Sequence, residues 1–185
     1  RRELFERAFQ IYAESRRYEP SGNVAISALL SPFNYSRPGN ALFDLVAQHI
    51  RGEMQVPGTN PSILLPQLNM TLLEPASLRF LLHAMIHSDH PVEAAFVLRA
   101  GRADIGSWRL RSKNTIELIR YLSYHMKALK DPNQEELIKE LENFAASLLV
   151  YNDSTRTSIS PSEHQTFASL AERSLDAIIR SAKSS

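Results

Sequence analysis

The sequence predicts an all-α fold, an irregular helical bundle of about seven to nine helices. Apolar residues recur at three- and four-residue spacing in segment after segment, the pattern of helices that each bury one stripe. Proline, glycine and short polar residues sit at the ends of those segments rather than inside them. No segment shows sustained apolar–polar alternation with β-branched residues, as a half-buried strand would.

In order, Leu4, Phe5, Ala8, Phe9 and Tyr12 predict an amphipathic helix over about 2–18, ended by Glu19-Pro20-Ser21-Gly22. A short helix is expected over 24–30, then a loop from Ser31-Pro32 to Pro38-Gly39. Asn40 can cap a helix carrying Leu42, Leu45, Val46 and Ile50, with Gly52 at its end. Residues 53–62 read as a linker or surface loop, and Pro66 forbids a long helix through Leu64, Leu65 and Leu68. Pro75 suits the first position of a helix over 75–87. Ser88-Asp89-His90-Pro91 ends that helix and starts another over 91–100, with Asp89 near the cap. Arg102 to Lys113 is expected to be a basic, irregular loop around Trp108.

Asn114 with Glu117 three residues on resembles a capping box for a helix running to about Lys130. Asp131-Pro132 starts the next, whose buried stripe is expected to be Leu137, Ile138, Leu141, Phe144, Ala145, Leu148 and Leu149. A polar loop, Asn152 to Ser160, precedes a last helix opened by Ser160-Pro161-Ser162-Glu163. No fixed-period repeat is visible, which argues against a regular solenoid.

At 185 residues the chain is read as one helical domain, 1–185. It lacks an initiating methionine and reads as a fragment of a larger protein. With 21 basic and 20 acidic residues, its net charge of +1 gives no overall drive toward nucleic acid or membranes. The absence of cysteine removes disulfides, thiolate chemistry and sulfur-ligated zinc. No apolar run spans a bilayer, and charges interrupt the N-terminus too often for a signal peptide.

Signals for catalysis are weak. His83 and His87 lie one helical turn apart, with His90 and Asp89 near, but Ala84 stands where a zinc protease would need glutamate. No serine sits in a nucleophile elbow, and the six glycines are scattered rather than gathered into a phosphate loop. The chain is therefore read as non-enzymatic, without metal or cofactor. Charge is uneven: residues 99–113 hold five cations against Asp104, a net of +4, and residues 131–142 hold five acids against Lys139, a net of −4. Two solvated faces that cancel, or a basic loop meeting an acidic partner, both fit this pattern. Leu4, Phe5, Phe9, Ile11 and Tyr12 cover a wide arc of the first helix, which fits either internal core or a helix shared with another subunit.

Three stretches carry a resemblance. Leu4-Phe5-Glu6-Arg7-Ala8-Phe9-Gln10-Ile11-Tyr12 is the first, and the leucine-rich pair Leu64-Leu65-Pro66-Gln67-Leu68 and Leu78-Arg79-Phe80-Leu81-Leu82 is the second. The third is Pro91-Val92-Glu93-Ala94-Ala95-Phe96, running on to Trp108-Arg109-Leu110. Together they resemble the telomere-repeat-factor homology (TRFH) domain of double-stranded telomere-binding proteins, especially fungal ones.

The resemblance implies a nuclear protein-interaction hub at chromosome ends, without catalysis. It implies recruitment of a telomeric adaptor of the Rap or shelterin type through a short motif. DNA would be contacted only through a Myb domain outside this chain, and homodimerisation would use a helix bearing Leu4, Phe5, Phe9 and Tyr12. The partner-peptide groove would have Phe96 as its apolar floor, with Leu98, Arg99, Arg102 and Ile105 nearby. An aromatic anchor flanked by arginines is a favourable composition for such a groove. A generic helical scaffold of another nuclear or viral assembly, acting through the acidic 131–142 face, is the alternative.

Overall fold

The computed structural model describes residues 7, 11, 40–55, 64, 67–150 and 158–184. These residues form six α-helices: α1 Asn40–Arg51, α2 Pro75–His87, α3 Pro91–Gly101, α4 Ser112–Ala128, α5 Glu135–Val150 and α6 Pro161–Ser184. The all-α class holds, and among the described residues there is no strand, only two isolated antiparallel bridges. Among the described residues the helix count is six, and the predicted seven to nine is not matched. The predicted helix over 2–18, with Leu4, Phe5, Phe9 and Tyr12, lies outside the described residues except for helical Arg7 and Ile11, and so does the 24–30 segment. Among the described residues no helix is long and apolar enough to cross a membrane.

Two compact units divide the chain, Arg1–Phe80 and Leu81–Ser185. In the first, α1 buries Phe43, Val46, Ala47 and Ile50, one stripe at helical spacing. Its end is set by Gly52 at φ +74°, a left-handed conformation that costs glycine little. The Gly52 amide donates to the His49 carbonyl and the Glu53 amide to that of Gln48, the paired bonds of a Schellman cap. The returning chain donates from the Leu68 amide to His49 and from Gln67 Nε2 to Ile50, so the carbonyls of Gln48, His49 and Ile50 are satisfied.

The second unit is organised on α6. That helix buries Phe167, Leu170 and Leu175 beside the small residues Ala168, Ala171 and Ser174, and it packs on α3, α4 and α5. Its start is a reciprocal capping box: the Ser160 hydroxyl accepts from the Glu163 amide while Glu163 accepts from the Ser160 amide. At α4 the predicted box is absent. The helix starts three residues earlier than that box implies, at Ser112, so Asn114 lies inside the first turn and Arg111 takes the cap position.

Across the bundle Arg173 of α6 donates two hydrogen bonds to the Glu140 carboxylate of α5, at 2.7 and 2.9 Å. That guanidinium holds the Glu140 carboxyl below its usual range. A depressed carboxylate pKa stabilises the fold above the unfolded-state value, and the gain is lost as pH falls through the folded value. Both side chains are about half exposed, so solvent screening keeps the gain small. Glu140→Gln is expected to cost about 0.2–1 kcal/mol at neutral pH. In urea titrations repeated from neutral to acid, the difference from the native chain should disappear as Glu140 protonates.

Candidate functional site

The region that the sequence marks for partner docking begins at the α2–α3 junction. α2 ends in a second Schellman cap, with the Asp89 amide bonded to the Ile86 carbonyl and the His90 amide to that of Met85. Asp89 occupies the left-handed position at φ 63°, where glycine is usual, and His90 rather than Asp89 is the N-cap of α3. Pro91 follows at the first helical position, where its missing N–H costs nothing.

Two of the three candidate histidines, His83 and His87, are part of an aromatic ladder. His83 and His87 stack at 6.2 Å between ring centroids, His87 meets Tyr121 of α4 at 5.1 Å, and Tyr121 meets His125 at 4.5 Å. Burial, then the nearby Asp89 charge, raises the Tyr121 phenol pKa. His90 instead turns toward Glu93, 3.9 Å away. Among the described residues no three His, Asp or Glu side chains are arranged to hold a metal ion.

Beyond α3, residues 102–108 are not an irregular loop. They form two short 3-10 turns joined by a kink at Asp104 (φ −111°, ψ 21°), which pack against both α3 and α6, and the last residue, Trp108, is 1% exposed. Trp108 is therefore a core residue, not an aromatic offered to a partner. The indole lies against Gly101, where an added Cβ would stand 2.0 Å from Cζ2. Past Trp108, Arg109 adopts φ 50° and turns the chain. The Leu110 amide then donates to Nε2 of buried His164, whose Nδ1 faces the Ser160 carbonyl at 2.8 Å. This pattern requires the neutral tautomer with its proton on Nδ1. Leu110 also accepts from the Ile159 amide, so the segment is tied to the start of α6 by both backbone and side chain.

The predicted groove residues separate into three groups. Leu98 and Ile105 are buried, so they support the turn from beneath and line no surface groove. Arg99 and Arg102 are at the surface but turned to α6: Arg99 pairs with Asp176 at 3.0 Å, and Arg102 with Glu172. The net of +4 over 99–113 is thus partly neutralised within the fold. Phe96 is 41% exposed, and it is a surface residue rather than the floor of a cavity.

Val92, one turn before Phe96, is 39% exposed, and Ala100, one turn after, is exposed too. Spacing of four residues places all three on one face of α3. The helix therefore has an apolar outer stripe opposite its buried Ala94, Ala95, Val97 and Leu98. Val92 and Ala100 are missed when Phe96 is singled out alone; the signal for them was a helix with apolar residues at nearly every position.

Three of the five acids of the 131–142 face are engaged within the fold, while Glu135 and Glu136 are exposed. Asp131 caps the turn before α5 by accepting from the Asn133 amide, Glu140 holds Arg173, and Glu142 pairs with Lys127. No protein-family model, no curated protein and no solved structure matches this chain.

Proposed function

We propose that this chain is a non-catalytic protein-interaction domain that receives an amphipathic segment of a partner on the outer face of α3. The observation that carries the reading is the Val92–Phe96–Ala100 stripe, apolar and exposed on a helix whose opposite face is already in the core. A stripe at this spacing suits an amphipathic helix or extended peptide that buries its own apolar side chains against it. Phe96 is the anchor, since aromatic residues contribute disproportionately to binding. Arg99 ties α3 to α6 through Asp176, and Arg102 ties the segment after α3 to α6 through Glu172.

The resemblance of the three sequence stretches to TRFH domains supports a telomeric adaptor of the Rap or shelterin type as the class of partner, and chromosome ends in the nucleus as the setting. On the same likeness DNA is reached through a Myb domain outside this chain, and a homodimer forms through the first helix.

Phe96→Glu places a charge on the stripe at an exposed position, so helix content by circular dichroism should not change. Adaptor binding should weaken by about 2 kcal/mol or more, roughly thirtyfold. Titration calorimetry with a purified telomeric adaptor measures this directly. Full retention of binding by the variant would remove the α3 stripe as the docking face. Arg99→Glu is a poorer probe, because it breaks the Asp176 pair as well.

A further inference from the structure

The helical pair α4 and α5 is joined by a short connection and packs closely, yet a groove of about 340 Å³ opens between the two helices. Its origin is in the sequence. Ser123 on α4 and Ala145 and Ala146 on α5 are too small to fill the space between the helices. Ile119 and Leu141 contribute apolar floor, while Tyr124 and Leu149 form the walls. Those two wall residues are 71% and 46% exposed, unusual for large side chains in a mainly apolar cleft. The volume lies within the roughly 300–1,000 Å³ typical of binding clefts.

Charge distinguishes the two ends. At one, Lys127 and Glu142 pair across the groove and neutralise each other. Toward the other, Arg120 lies on the same face of α4 as Tyr124, is exposed, and has no carboxylate partner among the described residues. The groove therefore offers an apolar trough with one unspent positive charge.

We infer that the α4–α5 groove is a second docking site, separate from the α3 stripe, for a short segment of another protein. That segment places aliphatic side chains between Tyr124 and Leu149 and an acidic residue against Arg120. The guanidinium can meet such a carboxylate with two parallel hydrogen bonds, which fixes the direction in which the peptide lies.

Selection of a random-peptide display library on the whole 185-residue chain tests this. Enriched peptides should combine aliphatic residues with at least one Asp or Glu. Ala146→Trp, which fills the groove from an exposed position, should abolish their binding. Arg120→Glu should weaken it about tenfold or more, the loss expected of a hydrogen bond to a charged group, and changing the peptide acid to lysine should restore affinity for that variant. Phe96→Glu should leave these peptides bound, which separates this site from the α3 stripe. Circular dichroism verifies that each variant keeps its helix content. No enrichment at all, or peptides that bind Ala146→Trp and Arg120→Glu as tightly as the native chain, would overturn the assignment.

Discussion

Trp108→Ala is expected to cost about 3–5 kcal/mol of folding stability, the range for truncating a large buried aromatic. The indole is 1% exposed and closes the second of two 3-10 turns that pack on both α3 and α6. Removing it leaves a cavity where two helices meet, and the neighbouring segment cannot collapse freely. Leu110 is pinned to His164 and Ile159, while Arg99 and Arg102 hold the other side to Asp176 and Glu172. A shift in the denaturant midpoint with an unchanged slope would show a loss of stability without a change in the unfolded ensemble. A variant as stable as the native chain would mean that the turn is not anchored by its tryptophan.

Gly101→Ala is expected to be the second most damaging of these changes, at about 2 kcal/mol net. The new Cβ would lie 2.0 Å from Cζ2 and 2.7 Å from Cε2 of Trp108, so something must move. Two effects oppose each other. Alanine is favoured over glycine within a helix by about 1 kcal/mol. Overpacking a filled core costs about 1–3 kcal/mol, occasionally more. Contact this short with an immobilised ring puts the cost at the upper end, so overpacking wins. The decisive control is the double variant. With Trp108 already truncated, Gly101→Ala should become neutral or stabilising, because the atoms it meets are gone. Equal effects in both backgrounds would mean that the two residues are not coupled.

Much of the helical framework is legible in the sequence. Pro75, Gly52, the Ser88–Pro91 junction and the Ser160–Glu163 box mark boundaries that the structure reproduces closely. Each of these is a local signal, set by a missing N–H, a left-handed position or a reciprocal cap, and local signals are readable one residue at a time. The candidate site is less legible because its character depends on distant partners. Arg99 and Arg102 look like docking cations until Asp176 and Glu172, more than sixty positions away in the chain, are brought beside them. Trp108 in a run of basic and small residues resembles a surface aromatic, and only the space left by Gly101 shows that it belongs to the core. Leu98 and Phe96 are two residues apart on one helix, yet one is buried and the other is exposed. Sequence periodicity does not separate them, because α3 is apolar on both faces.

The α4–α5 groove was invisible for a related reason. Ala145 and Ala146 are unremarkable helix formers, and the space they leave exists only where Ser123 lies across from them.

A photo-crosslinking amino acid placed at position 96, with a second placed at exposed Lys139 of α5 as control, addresses the docking face in the source cell. If partners dock on the outer face of α3, position 96 gives a specific adduct with a telomeric adaptor, and position 139 does not. No adaptor adduct at position 96, with the protein folded and the adaptor present, would contradict docking on this face.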